Sequence, residues 1–244
     1  MGRTRRVHHA SVPGPDSVLA LDADEAHHVI HVLRLGPGDP LSVFDGRGRE
    51  WDATLTGVDR SGVKVRIGRE RSDPVDPALG VTLYQGLCRP DRMEWAIQKA
   101  TEVGVRAIHP LVASRSDGPL PSPDRLERWR RVAREACKQS GRRCVPAVGE
   151  PVAAPQEVPQ EVLALMLVPG REERPIGSFL CGPPPQAVWL LVGPEGGLHP
   201  GDVRALEAKG FRRAELGPRT LRTETAGVIA SALVLHAWGD LGRG

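Results

Sequence analysis

Two apolar segments in the C-terminal half of the chain each run straight into a loop that contains glycine, and this arrangement restricts the possible folds. Residues 188–192 lead into Gly193-Pro194-Glu195-Gly196-Gly197, and residues 214–216 lead into a loop that opens an apolar helix at Thr223. In α/β proteins, ligands gather at the carboxyl ends of parallel strands. We therefore expect both loops to lie at one site.

Strand-like and helix-like segments alternate from about residue 77 to the end of the chain. The apolar spacing predicts strands at 81–84, 107–112, 163–168, 188–192 and 214–216, and helices at 93–103, 126–137, 202–209 and from 223 onward. Residues 146–185 contain many prolines and, apart from the one strand, show little pattern. The alternation predicts an α/β domain with a mostly parallel sheet that helices cover on both faces.

The N-terminal part has a shorter, strand-like rhythm. Apolar residues fill 41–44, alternate over 51–55 and alternate again over 63–67, and one helix is expected near 24–35. This pattern predicts a small β-barrel or sandwich. Residues 72–77 contain two prolines and no apolar periodicity, so we expect one domain over residues 1–72 and a second over residues 73–244.

The composition is that of an ordinary globular protein. Charged residues make up 26% and apolar residues 40% of the 244 residues, and no apolar run approaches the roughly 18 residues that a membrane span requires. The first nine residues are basic, but no apolar segment follows them, so we expect a cytoplasmic protein without a secretory signal. The cysteines lack a C-x-x-C pair and are expected to be buried as small apolar residues: Cys88, Cys137, Cys144 and Cys181.

Positive charge is concentrated in one predicted helix and the turn after it. The net charge is only +3, yet residues 124–143 hold eight basic and three acidic residues. Such a run is usually a solvated helix face, but its polar, turn-like end makes contact with a nucleic-acid backbone an equal alternative. His27 and His31 have the spacing of a zinc-binding pair, but no third ligand follows, so no metal is expected.

The residues of the two loops indicate what they bind. Closely spaced glycines occur where a backbone turns sharply or approaches a ligand, although an ordinary strand-to-helix turn is the alternative. No phosphate-binding glycine motif is suitably placed, and Glu195 would repel a phosphate, so a neutral or cationic ligand fits better. In the second loop, Arg219 and Arg222 are candidates to bind an anion and Glu224 to accept a proton, unless Thr223 and Glu224 only cap the helix.

Several segments together resemble one known family. Besides the two loops, they are MEWAIQKATEVGV at 93–105, EACKQSGR at 135–142, HHVIHVLR at 27–34 and FDGRG at 44–48. In order, and over nearly the whole chain, this set resembles the bacterial 16S rRNA uridine-N3 methyltransferases of the RsmE type, in the SPOUT superfamily. The sequence departs from the family pattern at Leu198-His199, Thr220 and Arg89-Pro90, which affects packing and loop shape more than charge.

The resemblance implies an N-terminal PUA-like β-barrel domain and a C-terminal SPOUT α/β domain with a deep trefoil knot, active as a homodimer. It also implies that the cofactor, S-adenosylmethionine, binds in the knot. The residues implied to hold the cofactor are Val192, Gly193, Pro194, Glu195, Gly196, Gly197, Leu216, Gly217, Arg219 and Leu221.

The activity implied is methylation of N3 of a specific uridine in 16S rRNA, within the assembled small ribosomal subunit. Arg222 would stabilise the uracil anion, and Glu224 would orient the base or take its proton. The residues expected to contact RNA are Arg34, Arg128, Arg131, Arg142 and Arg143. Two alternatives remain: a SPOUT methyltransferase that acts on another RNA or at the ribose 2′-oxygen, and a non-catalytic RNA-binding protein.

Overall fold

The computed structural model describes residues 5–59, 62–117, 119–170 and 173–242. The chain forms two compact units. Unit 1 comprises Met1–Asp76 together with Arg134–Val145, and unit 2 comprises Pro77–Ala133 together with Pro146–Gly244. Residues 1–4, on which the expectation of no secretory signal partly rests, lie outside the described residues.

Unit 1 is built on a five-stranded sheet with one short helix. Its elements are β1 (Arg6–His8), β2 (Val18–Ala20), α1 (Ala23–His27), β3 (Pro40–Phe44), β4 (Glu50–Asp59) and β5 (Gly62–Glu70). The strand order is β1-β3-β4-β5-β2, with β1 parallel to β3 and all other neighbours antiparallel. Among the described residues no pairing joins β1 to β2, so the sheet is open and its closure into a barrel is not confirmed.

The helix expected near 24–35 is present but irregular. α1 follows Asp22, whose carboxylate accepts a hydrogen bond of 2.8 Å from the Glu25 backbone N–H and so satisfies one of the free donors of the first turn. The chain continues as a π-helical turn over His28–Val32 and leaves helical geometry near Arg34, which has a φ of +55°.

The alternation of apolar residues explains the strands of unit 1. The side chains of Trp51, Ala53 and Leu55 in β4 are buried. In β5 the buried side chains are also every second one: Val63, Val65 and Ile67. They form one apolar core with Val29 from the π-helical turn. The predicted half-buried strands are therefore confirmed, because one face of the sheet covers this core.

A buried carboxylate, Glu50, organises the charged groups of unit 1. It accepts hydrogen bonds from Ser42 Oγ (2.6 Å), Arg6 Nε (2.9 Å) and Arg143 Nε (3.0 Å). Burial alone would raise the pKa of Glu50, but these hydrogen bonds outweigh it and lower the pKa below its ordinary value. The ionised form of Glu50 is thus stabilised by folding.

Unit 2 is a six-stranded, entirely parallel sheet with helices. Its elements, together with the helix that continues into residues of unit 1, are β6 (Gly80–Gly86), α2 (Pro90–Val103), β7 (Ala107–Leu111), α3 (Pro123–Ser140), β8 (Ala147–Val148), β9 (Val162–Leu167), β10 (Ala187–Val192), α4 (Pro200–Ala208), β11 (Arg212–Ala214) and α5 (Thr223–Trp238). The strand order is β11-β9-β10-β6-β7-β8. The parallel sheet and the α/β class predicted from the alternation are confirmed.

The structure differs from the predicted elements of unit 2 in two places. The last strand, β11, ends at Ala214 rather than at Leu216, because Glu215 forms only an isolated bridge and Gly217, with a φ of +109°, turns the chain away. Within the weakly patterned residues 146–185, the strand predicted at 163–168 is confirmed as β9, whereas β8 and a 3₁₀ turn over Ile176–Phe179 were not predicted. β8 has two residues and the 3₁₀ turn four, which is too few to show an apolar period.

The structure bears on two predictions made from the composition, the burial of the cysteines and the lack of a membrane span. The expectation that all the cysteines are buried is wrong, since only Cys137 is buried, Cys88 and Cys144 are partly exposed, and Cys181 is exposed. No helix in the described ranges is long and apolar enough to cross a membrane.

Candidate active site

A cavity of about 560 Å³ opens at the carboxyl ends of β9, β10 and β11, between the two glycine-containing loops. The two loops therefore meet, as their positions after parallel strands predict. Every residue proposed from the sequence for the cofactor or for catalysis lines this cavity: Val192, Gly193, Pro194, Glu195, Gly196, Gly197, Leu216, Gly217, Arg219, Leu221, Arg222 and Glu224.

The backbone of the first loop touches the end of the neighbouring strand. Gly86, the last residue of β6, lies so close to the Gly193–Pro194 peptide that a Cβ on Gly86 would overlap its backbone atoms. Gly197 has a φ of +71° and donates its N–H to the Pro194 carbonyl at 2.8 Å, which closes a tight turn. Gly86 is thus required by the close approach of this loop, and Gly197 by its backbone conformation.

A buried amide connects the two loops. Gln85, next to Gly86 and completely buried, donates from Nε2 to Thr223 Oγ1 at 2.9 Å and to the Thr223 carbonyl at 3.3 Å. The Thr223 hydroxyl in turn donates to the Gly193 carbonyl at 2.5 Å. Gln85 was not predictable from the sequence, since a single polar residue at the end of an apolar strand carries no period.

The second loop ends in an unusual helix N-terminus. Arg222 occupies the N-cap position of α5 and makes no side-chain capping bond, and Thr223 is already helical. The alternative that Thr223 merely caps the helix is therefore wrong, because its hydroxyl bonds to Gln85 and Gly193 instead. Glu224 lies in the first turn, where the helix dipole favours a negative charge.

Two carboxylates and one arginine lie together at the wall of the cavity. Arg92 Nη1 lies 2.8 Å from Glu195 Oε1, and Arg92 Nε lies 3.7 Å from Glu224 Oε1. Glu224 is buried, and its other oxygen, Oε2, has no hydrogen-bond partner in the described part of the chain. A buried carboxylate oxygen that lacks a partner and lines a cavity is an acceptor available to a ligand. Nearby, burial and then the charges of Glu224 and Glu195 raise the pKa of the Cys88 thiol to about 12.

The two arginines of the second loop are accessible. Arg219 and Arg222 are both exposed at the cavity, and neither forms an ion pair within the described ranges. Arg222 also lines an adjoining hollow of about 430 Å³ together with Trp95 and Glu224. Its guanidinium is therefore placed to bind an anionic group that enters beside Glu224.

Arg115 supports the first loop and was not found from the sequence. Its Nη1 donates to the Gly196 carbonyl at 3.2 Å, and a Cβ on Gly196 would lie 3.2 Å from Arg115 Cβ. The preceding Ser114 donates from Oγ to Asp202 Oδ1 at 2.5 Å. Burial tends to raise the pKa of Asp202, but hydrogen bonds from Ser114 and the His199 backbone lower it, so an ionised carboxylate on α4 holds the segment that carries Ser114 and Arg115.

The residues proposed to contact RNA fall into two groups. Arg34, Arg128 and Arg131 are exposed, although Arg128 Nε lies 2.6 Å from Glu94 Oε1. Arg142 and Arg143, by contrast, are each only 5% exposed.

The assignment of Arg142 and Arg143 to RNA binding therefore needs correction. Arg142 Nε lies 2.8 Å from Asp76 Oδ1, and Arg143 bonds to Glu50 and to the Asp73 carbonyl. A buried guanidinium that is paired in this way is not free to contact phosphate, because its removal from the pair would leave a buried carboxylate uncompensated. A charge run in a sequence does not distinguish such residues from exposed ones.

Known proteins resemble the chain over both parts. A family model described as an RNA methyltransferase domain matches residues 76–235, and one described as an RNA methyltransferase PUA domain matches residues 21–68. The ribosomal RNA small subunit methyltransferase E of Mycobacterium bovis is 36% identical over 238 residues, covering 92% of this chain and 88% of the relative. That of Bacillus subtilis is 31% identical over 229 residues and covers 89% of each.

Solved structures agree with the sequence relatives. A ribosomal RNA small subunit methyltransferase E from Neisseria gonorrhoeae bound to S-adenosyl methionine superposes with a TM-score of 0.90 at 31% identity, covering 97% of this chain and 99% of the other. A methyltransferase from Legionella pneumophila, described as putative and in complex with the same cofactor, gives a TM-score of 0.86 at 31% identity, with 98% and 100% covered.

Proposed function

Because this chain belongs to the ribosomal RNA small subunit methyltransferase E family, we propose that it methylates N3 of one specific uridine in 16S rRNA. Methyl transfer to ribosomal RNA from S-adenosylmethionine is the activity of the family. The position on the base, the specific uridine and the assembled small subunit as substrate are the parts proposed here. The observation that supports the position on the base is the cavity that Arg222 and Glu224 both line, where Glu224 keeps one oxygen without a partner in the described ranges and Arg222 is exposed.

The cavity fits S-adenosylmethionine. Apolar side chains from the three strand ends and the second loop, such as Leu167, Val192 and Leu221, suit an adenine ring. The backbone of the two loops offers polar groups to fix the ring and the ribose, and Glu224, which keeps one oxygen without a partner in the described ranges, suits a ligand that carries positive charge. When bound, this cofactor supplies a methyl group activated by attachment to a sulfonium.

Arg222 and Glu224 would prepare the uracil. N3 of uracil carries a proton at neutral pH, so it is a poor nucleophile until that proton is withdrawn. Glu224 Oε2 is the acceptor for the N3–H, and the planar guanidinium of Arg222 would stabilise the negative charge that develops on O2 or O4. Burial of Glu224 excludes water that would otherwise compete for the same oxygen.

RNA contact is proposed for the exposed arginines and the N-terminal domain. The PUA-like domain over residues 1–72, with Arg34, would bind RNA near the target, and Arg128 and Arg131 would contact it from the domain over residues 73–244. The match of residues 21–68 to a PUA domain and the exposure of these side chains support this assignment. The target uridine must leave its stack to reach the cavity.

A homodimer and a trefoil knot are also proposed. The large apolar side chains of Trp95, Ile229 and Leu233 are exposed on α2 and α5, two helices that pack together, and Trp95 borders the hollow beside Arg222. A second copy that covers this face would complete the site. The knot is supported by the path of the chain. β11 pairs with the side of β9 that faces away from β10, whereas the next helix, α5, packs against β10 and β6.

The decisive experiment is transfer of tritium from labelled S-adenosylmethionine to small-subunit particles that lack this modification. Nucleoside analysis of the product should give one N3-methyluridine. Incorporation into another nucleoside, or at the ribose, would refute the proposed position while keeping the methyltransferase. Free 16S rRNA is the control substrate. Methyl transfer to the free RNA as efficient as that to the particles would refute the requirement for the assembled subunit.

A further inference from the structure

We propose that a second cavity, next to the cofactor cavity, binds a phosphate of the RNA strand beside the target uridine. This inference rests on the proposed function. The second cavity has a volume of about 290 Å³ and lies in unit 2. It shares Arg115 and Glu195 with the cofactor cavity, so a strand that presents its base to one cavity continues past the other. Its size suits a phosphate with part of a sugar rather than a whole cofactor.

Three arginines line this second cavity. Arg89 lies 3.9 Å from Asp91, a distance too long for a strong ion pair, and Arg125 forms no ion pair within the described ranges. Arg115 uses one nitrogen for the Gly196 carbonyl and keeps further donors. Guanidinium groups with spare donors are the side chains best suited to hold a phosphate by two bonds.

The N-terminus of α2 also lines the second cavity. Its N-cap residue is Arg89 and its first residue is Pro90, and the N-cap side chain makes no capping bond. This 14-residue helix therefore presents the positive end of its dipole and free backbone N–H groups on the side where the arginines lie. Both features favour an anion.

Trp129 provides an independent sign of a ligand. Its side chain lines the second cavity and is only 2% exposed, yet its indole Nε1–H has no hydrogen-bond partner in the part of the chain that is described. A buried donor without a partner is uncommon in folded proteins and costs free energy. A phosphate oxygen would satisfy it.

The carboxylates in the second cavity do not cancel this charge. Glu195 is already paired with Arg92 at 2.8 Å, and among the described lining residues only Asp117 then remains against three arginines. A cationic ligand is therefore disfavoured. A free inorganic phosphate has the same chemistry as an RNA phosphodiester, and the two are separated by experiment.

The test compares Arg89→Gln, Arg125→Gln and the double variant with the wild type. The matched control is Arg204→Gln, since Arg204 is an exposed arginine on α4 that lines neither cavity. Binding of a fluorescein-labelled single-stranded oligouridylate is measured by anisotropy at several salt concentrations, with S-adenosylmethionine present. Cofactor affinity is measured by calorimetry, and methyl transfer to small-subunit particles gives kcat and KM.

We expect each variant to weaken probe binding and raise KM for particles by about tenfold, while kcat and cofactor affinity stay close to wild type. The slope of log affinity against log salt should fall by about 0.7 for each lost phosphate contact. Unchanged binding and slope in the double variant would overturn the proposal. The proposal would also be overturned if the wild type bound no oligouridylate but did bind inorganic phosphate, and if the double variant lost that phosphate binding.

Trp129→Phe tests the indole separately, with unfolding followed by circular dichroism to confirm that the variant is folded. Weaker probe binding at unchanged salt slope supports a neutral donor to phosphate, and unchanged binding removes Trp129 from the site. The proposed function fails in a different way. If the wild type transfers no methyl group to particles while the arginine variants still weaken probe binding, the reaction assignment is wrong and the phosphate site stands.

Discussion

Replacement of Gly227 by alanine should destabilise the protein, although the same change usually stabilises a helix. Gly227 lies inside α5, where alanine is favoured over glycine by about 0.5–1 kcal/mol. In this structure a Cβ at position 227 would overlap Gln85 Oε1 and would lie 3.2 Å from both methyl carbons of Leu83. Gln85 and Leu83 are both completely buried, so neither has free space into which to move.

The size of the stability loss follows from the side chains that the new methyl group would displace. Overpacking of a filled core costs about 1–3 kcal/mol. Displacing the Gln85 amide also strains its bonds to Thr223, each worth about 0.5–1.5 kcal/mol net. After subtraction of the helix-propensity gain, Gly227→Ala should lower the free energy of unfolding by about 1–3 kcal/mol. Because Thr223 also holds the first loop, affinity for S-adenosylmethionine should fall with it.

Urea unfolding monitored by circular dichroism measures the stability, and calorimetry measures cofactor affinity. Gly177→Ala is the matched control, because no atom lies within 4 Å of a Cβ built there, and it should change stability by less than about 0.5 kcal/mol. Gln85→Ala removes the overlapping oxygen, so the double variant should lose less stability than the two single losses together. A Gly227→Ala protein at least as stable as wild type would refute the packing argument.

Three further outcomes are expected. Arg222→Lys should lower kcat by about 10²-fold with little change in cofactor affinity, because planar two-point donation is lost, and equal turnover would remove Arg222 from the chemistry. Glu50→Gln should lower the free energy of unfolding at pH 7 by about 3–5 kcal/mol, since it leaves buried arginines without their charge partner. Because folding lowers the pKa of Glu50, its contribution to the free energy of unfolding is present above the unfolded pKa of about 4.3 and is lost as the pH falls through the lower folded pKa. Urea titrations at several pH values should therefore show that the stability of the variant falls less steeply with decreasing pH in the acid range than that of the wild type. Burial raises the pKa of Cys88 and Cys137 to about 12, which leaves about 10⁻⁴ of each as thiolate at pH 8, so mass spectrometry after iodoacetamide should find the exposed Cys181 alkylated first. Equal rates at Cys88 would contradict this.

Most strands and helices of unit 2 were predictable, because the strands are short apolar runs and the helices have apolar residues at helical spacing. The end of α2 at Gly104 illustrates this, since a run of helical spacing stops at a glycine that has a φ of +122°. The meeting of the two loops was predictable for a topological reason, because parallel strands bring their carboxyl ends to one edge. β11 was misplaced because its pairing residues are two arginines and an alanine, which carry no apolar signal.

Burial of charge was not predictable from the same sequence. Arg128 and Arg143 belong to one basic run, yet the first is exposed and the second is buried against Glu50. Their partners lie far away in the sequence, at Glu94 and Glu50, and no local period connects them. Only the folded chain decides which arginine is buried with its carboxylate and which pairs at the surface.

The shape of the cofactor cavity depends on β6, a strand that contributes no residue to its lining. Gly86 allows the first loop to lie against the strand, and Gln85 holds Thr223 and, through its hydroxyl, the Gly193 carbonyl. Gly227 is a glycine because Gln85 fills the space where its side chain would lie. Since the two loops are joined through this amide, a bound cofactor that contacts both loops opposes any opening of the Gln85 contacts. Ligand binding should therefore stabilise unit 2 less in a Gln85 variant than in the wild type, and at excess cofactor the difference should follow the logarithm of the ratio of the two Kd values.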